Sequence, residues 1–240
     1  MNSELLTYEA DGLSMESHLY VDPAAGDGPR PGILVFPEAF GLSEHAKARA
    51  AALARCGYVA LACDLHGKGA LHEELEKVMP IITALRADPL HIRARAGAAL
   101  AVLAARPEVD ASRIAAIGYC FGGTMALELA RSGAAIRAAV GFHSGLATVR
   151  PEDARNIRGK VLVCIGADDP GIQPEERMAF EQEMRAGGVD WQLHLYGGVV
   201  HSFTNADADK RGMPEFLRYD AAADARSAQA MQNLFDEVLA

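Results

Sequence analysis

The sequence predicts an α/β fold built on a mostly parallel central sheet of about eight strands, with helices on both faces. Three observations predict it. Short apolar, β-branched runs alternate with helical stretches along most of the chain. Several of those runs are apolar throughout, as strands covered on both faces are. The chain is also long enough, at 240 residues with 50 % hydrophobic residues, to bury a large core, and no break in composition divides it. One domain over residues 1–240 is therefore expected.

The first two runs, Leu5–Glu9 and Ser14–Val21, alternate weakly about Asp11-Gly12, which predicts an antiparallel hairpin. Pro23 to Pro31 reads as a surface turn. GILVFP (32–37) is a buried strand, and Ser43 is placed to cap a helix that runs to Arg55. YVALACD (58–64) is the next buried strand. Residues 65–110 break the alternation with two helical stretches, Leu71–Arg86 and Leu90–Arg106, divided at Asp88-Pro89. The first of these is expected to form part of a rim over any site. RIAAIG (113–118), a helix over 124–130, IRAAVGFHS (136–144), KVLVCIGADD (160–169), a helix over 175–186 and WQLHLYGG (191–198) resume the strand–helix repetition. Asp207–Pro214 reads as a loop, and Asp220–Leu239 as a helix whose apolar positions should pack on the sheet.

Charge and cysteine usage exclude several functions. The net charge is −9, from 23 Lys plus Arg against 32 Asp plus Glu, and the basic residues are scattered, which argues against a nucleic-acid partner. The apolar stretches fall short of the roughly 18 residues of a membrane span. The opening MNSELLTYEADG lacks the basic-then-apolar pattern of a signal peptide, so a soluble, cytoplasmic protein is expected. The four cysteines, at 56, 63, 120 and 164, have no C-x-x-C spacing; neither a metal site nor a cofactor is expected. Cys63 and Cys164 sit in strand-like runs and Cys56 ends a helix, where a thiol acts as a small packing group.

Cys120 is different. The stretch IAAIGYCFGGTMALELA (114–130) reads as strand, tight turn and helix, with Cys120 at the turn. A phosphate-binding loop would need a lysine that Gly122 and Gly123 leave no place for. A buried packing cysteine explains the residue type but not the glycines. The form G-x-C-x-G explains both: a nucleophile elbow lifts the thiol above the sheet edge, facing a helix N-terminus.

Functional groups of parallel sheets gather at the carboxyl ends of strands. Four such ends here carry polar residues: Glu38-Ala39, Cys120, Asp168-Asp169 and His201. Their order, nucleophile then acid then histidine, is that of an α/β-hydrolase. Of the adjacent aspartates Asp169 is favoured as the acid, with Asp168 as the alternative. His18, His45, His72 and His194 fall on surface positions or a strand face and His91 begins a helix, whereas His143 follows a strand end and is a candidate for the pocket wall. The oxyanion donors expected of such a site are the backbone N–H groups of Phe121 and Ala39.

PEAFG (37–41), GYCFGG (118–123), GADDP (166–170) and YGGVVHSFTN (196–205) resemble the dienelactone hydrolase family of the α/β-hydrolase superfamily, and the resemblance covers nearly the whole chain. It implies an α/β-hydrolase fold, Cys120 as nucleophile, His201 as base, Asp169 as its partner and Glu38 beside the thiol. It also implies a small ester or lactone as substrate, cleaved through an acyl-thioester, with Phe40, His143 and Asn205 as candidate pocket residues. Family members that hydrolyse dienelactone carry an arginine where this chain has Asn205; no obvious second arginine aligns before the nucleophile, although Arg86 and Arg93 are candidates. A broader carboxylic ester or lactone hydrolase is therefore the expectation. The alternative is a non-enzymatic scaffold or a thiol redox sensor.

Overall fold

The computed structural model describes every residue except Asp27, which falls within the turn expected at 23–31. The chain opens with β1 (Asn2–Ala10) and β2 (Leu13–Val21), antiparallel about Asp11-Gly12. Both turn residues have positive φ, 55° and 72°, the geometry whose twist matches the two strands and which Asp and Gly tolerate. There follow β3 (Arg30–Phe36), α1 (Glu44–Arg55), β4 (Val59–Ala62), α2 (Leu75–Ala87), α3 (Pro89–Ala104) and β5 (Val109–Tyr119). Next come α4 (Phe121–Arg131), β6 (Ala138–Phe142), β7 (Lys160–Gly166), α5 (Pro174–Gly187), β8 (Trp191–Tyr196) and α6 (Ala221–Val238).

The strands form one eight-stranded sheet in the order β1-β2-β4-β3-β5-β6-β7-β8. From β4 to β8 every neighbouring pair is parallel, and β2 joins β4 antiparallel. Side chains along β3 alternate between two cores: Leu34 and Phe36 pack with residues of α3 and α4, Ile33 and Val35 with residues of α1 and α6. A strand apolar at every position thus serves two faces, and this explains its continuous run. The fold is an α/β-hydrolase fold, as expected.

The register places the polar strand ends side by side. Phe36 lies opposite Gly118, Tyr119 opposite Phe142, Phe142 opposite Cys164, and Gly166 opposite Tyr196. The residues that follow each strand, among them Glu38, Cys120, His143, Asp169 and His201, emerge along one edge. The chain reverses its direction of travel across the sheet between β4 and β5, which flank β3, so this edge is also the switch point where α/β sheets open a crevice.

Several details differ from expectation. α2 starts at Leu75 rather than Leu71, because Leu71 bridges to Gly41 and the His72 N–H donates to the Phe40 carbonyl, while the Asp64 carboxylate accepts from His66, Gly67 and Gly69 earlier in the same loop. β5 begins at Val109, before the apolar run, since Arg30 and Pro31 also pair there across an irregularity between Pro31 and Gly32. Ser43 stands at the N-cap of α1 with an extended backbone, but its side chain makes no capping hydrogen bond. By contrast Asp88 and Asp220 cap α3 and α6 through the N–H groups of Leu90 and Ala223.

α4, which carries the turn at Cys120, is buried along its whole length. Its last residue, Arg131, is fully buried and donates to both Glu183 oxygens on α5, to Glu128 and to the Leu146 carbonyl. Glu128 also receives Arg93 from α3, which pairs with Asp153 as well. Removing one member of a buried charge group strands the others. Arg131→Met is expected to lower unfolding free energy by about 3 to 5 kcal/mol in urea denaturation. Arg185→Ala, which breaks the exposed pair with Glu181, should change it by no more than about 0.5 kcal/mol.

Candidate active site

The turn after β5 is too tight for any residue but glycine at three places. A Cβ on Gly118 would lie 2.0 Å from Gly122 backbone atoms, on Gly122 2.3 Å from the Phe36 carbonyl oxygen, and on Gly123 2.2 Å from the Ser144 Cβ. The glycines let the turn back directly onto the ends of β3 and β6. Cys120 itself has φ 54° and ψ −119°, a conformation unfavourable for a residue with a side chain. Its N–H, shared between the Phe142 carbonyl at 3.0 Å and the His143 Nδ1 at 3.2 Å, holds it there. Cys120 is partly exposed, whereas Cys63 and Cys164 are buried. Burial pushes the Cys164 thiol up to about 12 and the Cys63 thiol higher still, which suits packing groups.

Asp169 follows β7 and is buried; its neighbour Asp168 is exposed. One Asp169 oxygen accepts the Gly171 N–H at 2.8 Å and the other lies 2.6 Å from the His201 Nδ1. His201 is in turn fixed through its backbone: its N–H donates to the Phe216 carbonyl and its carbonyl accepts from Arg218. The Phe216 ring stacks on the imidazole at 5.4 Å between centroids. Burial disfavours the imidazolium, but the Cys120 sulfur as thiolate and the Asp169 carboxylate favour it more, and the His201 pKa rises to about 10.

Cys120 and His201 share the wall of a cavity of about 340 Å³ with Ala39 and Phe121. The N–H groups of Ala39 and Phe121 have no hydrogen-bond partner among the described residues, so both are free for a ligand. Elsewhere the wall is mainly apolar, with Phe40, Met79, Ile82, Ile172, Phe216 and Leu217. Arg86 of α2 also lines it, 5.9 Å from the centre of the Phe121 ring, and has no ion-pair partner among the described residues. Arg93 does not reach the cavity, since Glu128 and Asp153 hold it.

Glu38 is buried in the same wall, and both its oxygens are engaged, by the Ser202 Oγ at 3.1 Å and the Asn205 Nδ2 at 2.7 Å. Asn205 itself lies beyond Glu38, in an adjoining, more polar cavity of about 500 Å³. The expectation that His143 lines the pocket is corrected: its ring is fully buried beneath the turn, bonded to the Cys120 N–H and to Thr204. His45 is corrected too, because it packs edge-on against Tyr119 and reaches the Thr204 carbonyl instead of standing on the surface. Ser202, Thr204 and Phe216 escaped the sequence reading. Only their place in or near YGGVVHSFTN could have signalled the first two. Among the described residues, no group of three His, Cys, Asp or Glu is placed to hold a metal ion, and no helix is long and apolar enough to cross a membrane.

A family profile described as the dienelactone hydrolase family matches residues 16–239. The "Probable 2-oxo-3-(5-oxofuran-2-ylidene)propanoate lactonase" of Bradyrhizobium sp is 30 % identical over 80 % of this chain and 81 % of its own. Among solved structures, one described as m3DLH superposes with a TM-score of 0.96 at 51 % identity, covering 100 % of this chain and 99 % of its own. A dienelactone hydrolase-like promiscuous phosphotriesterase from metagenomic libraries superposes with a TM-score of 0.94 at 45 % identity, again over 100 % and 99 % of the two chains.

The charge balance around His201 is testable by itself. Its imidazole is expected to hold its proton up to about pH 10 in the intact protein, read by nitrogen NMR of the ring. In Cys120→Ala the same resonance should titrate at lower pH, because the group that most favours the charged ring is gone. An unchanged titration would mean that the thiol does not face the imidazole.

Proposed function

Since the chain belongs to the dienelactone hydrolase family and is a carboxylic ester or lactone hydrolase, we propose that it cleaves small neutral esters or lactones with Cys120, His201 and Asp169 through an acyl-thioester. The whole chain acts as a single domain in this reading, and no step needs a metal or cofactor. Family membership sets aside the non-enzymatic scaffold. The observation that carries the mechanism is the shared cavity wall of Cys120 and His201, with Asp169 2.6 Å behind the imidazole.

A free thiol with a pKa of about 8.5 is only slightly ionised at neutral pH, so a base that takes its proton raises the reactive fraction. Asp169 holds one proton of His201 on Nδ1, and Nε2 holds the proton taken from Cys120, so in this reading the attacking form is a thiolate paired with the imidazolium. The Cys120 sulfur then bonds to the carbonyl carbon, and negative charge moves to the carbonyl oxygen. The free N–H groups of Ala39 and Phe121 receive that charge; each such donor is typically worth about 2.7 to 4 kcal/mol in the transition state. Collapse breaks the bond to the alcohol oxygen, which takes the proton from His201. Water attacks the thioester next, giving a proton to His201, and Cys120 leaves as the thiolate while the acid departs, which restores the pair.

The apolar wall supports an uncharged substrate, and the Glu38 carboxylate in that wall repels an anion. Neutral phosphotriesters are a second class, supported by the same wall and by the phosphotriesterase among the similar structures. The net charge of −9 supports a small-molecule partner over a nucleic acid.

With a p-nitrophenyl ester, Cys120→Ala is expected to abolish turnover, while Cys56→Ala, Cys63→Ala and Cys164→Ala keep most of it. Asp169→Asn should cost on the order of 10⁴-fold in kcat, the size seen when a serine-protease triad loses its aspartate, and Asp168→Asn far less. Wild-type turnover in Cys120→Ala would remove the mechanism.

Matched neutral and anionic lactones compared by kcat/KM test the substrate class. The neutral lactone should be turned over at least as well. A strong preference for the anion, lost in Arg86→Gln, would instead make Arg86 a carboxylate receptor; a charge-assisted hydrogen bond is worth roughly 1.5 to 3 kcal/mol, about ten- to a hundredfold in binding.

A further inference from the structure

Among the described residues five without a glycine's freedom have positive φ, and three of them meet at this site: Cys120 at 54°, His143 at 41° and Ser202 at 56°. Cys120 and Ser202 have evident reasons, one as the thiol-bearing turn and the other as the donor to Glu38. His143 does not line the site cavity, and the reaction above does not use it. A fully buried histidine in strained backbone nevertheless needs a cause.

Its hydrogen bonds supply one. The His143 backbone N–H donates to the Cys164 carbonyl at 2.8 Å, seating the residue across β7. Its Nδ1 accepts from the Cys120 N–H, and a backbone N–H can only donate, so Nδ1 carries no proton. The proton is therefore on Nε2, which donates to the Thr204 Oγ1 at 2.9 Å. The ring thus spans the nucleophile turn and the loop that bears His201, and its edge meets the His201 ring at 5.1 Å between centroids and the Phe203 ring at 5.2 Å.

We propose that His143 is a positioning residue: as a neutral Nε2–H imidazole it ties the Cys120 turn to the His201 loop and sets the separation of thiol and base. This rests on the Cys120–His201–Asp169 reading and adds to it a fourth side chain that touches no substrate. The groups around the ring agree with its neutrality. Burial, His201, His45 and Arg49 all disfavour a second proton on His143, whose pKa lies well below the usual histidine value. A protonated ring would lose its bond to the Cys120 N–H and repel the His201 imidazolium. The two histidines are thereby kept in opposite charge states, with Asp169 on one and Thr204 on the other.

The test compares His143→Asn, His143→Leu, Thr204→Val and the double variant His143→Leu/Thr204→Val in p-nitrophenyl ester turnover, with Cys120→Ala as the reference. Asparagine keeps an acceptor for the Cys120 N–H and leucine does not. Thr204→Val removes the hydroxyl with little change of shape. Misplacement by about 1 Å can cost roughly 100-fold, so His143→Leu is expected to lose about 10- to 100-fold in kcat with KM little changed. Thr204→Val should lose less, His143→Asn should recover part of the loss, and the double variant should be no worse than His143→Leu. Wild-type kcat in both His143→Leu and Thr204→Val, or losses that multiply in the double variant, would overturn the proposal. If His143→Leu does not fold, Thr204→Val decides alone: wild-type kcat there overturns it. Activity surviving in Cys120→Ala would instead sink the thiol mechanism itself, a result separate from either outcome for His143.

Discussion

The arrangement depends on how little room the chain has between β5 and α4. Within one turn it must leave the centre of the sheet, lift a side chain above the edge and enter a fully buried helix. Gly118, Gly122 and Gly123 make this possible by close backbone approach, and Cys120 takes the conformational cost. Strain of this kind persists only where neighbours over-determine it. Here the neighbours are the Phe142 carbonyl at the end of β6 and the His143 ring just after it, and behind them the buried Arg131 group that fixes α4 to α3 and α5.

That anchoring has an electrostatic counterpart. Several ionisable groups lie within a short distance of the thiol, and each has a stated partner: Asp169 on His201, Thr204 on His143, Ser202 and Asn205 on Glu38. Neutral donors on Glu38, in place of a cation, leave its charge uncompensated in the cavity wall. An arginine at position 205 would have cancelled that charge and offered a receptor for an anionic substrate at once. Asn205 does neither, and Arg86, which lines the same cavity, is a cation without an ion-pair partner among the described residues.

Much of this was legible because the signals were local. Continuous apolar runs mark strands buried on both faces, and the polar residue after each run marks the edge where Glu38, Cys120, Asp169 and His201 converge. Asp169, favoured over Asp168 in the sequence, is the buried one of the two and the one 2.6 Å from His201. The late start of α2 is hidden in the sequence because Leu71 and His72 are tied through the backbone to Gly41 and Phe40, contacts that no periodicity reports. His143 and His45 were misread for a related reason. A polar residue at the end of a strand or the start of a helix looks solvent-facing unless its distant partners, Thr204 and Tyr119, are known.

Those distant partners concentrate in one short segment. Residues 201 to 205 address four strand ends: His201 reaches Asp169 after β7, Ser202 and Asn205 reach Glu38 after β3, and Thr204 reaches His143 after β6, whose ring in turn holds Cys120 after β5. Consecutive side chains can aim in such different directions because Ser202 has positive φ. A change in this segment therefore disturbs several contacts together. The facing wall is under no such constraint. α2 contributes Leu75, Met79, Ile82 and Arg86, of which Leu75, Met79 and Arg86 are exposed. Under the proposed reading the reacting groups stand on the strand ends, and α2 offers the cavity exposed side chains that make no hydrogen bond to the 201–205 segment among the described residues.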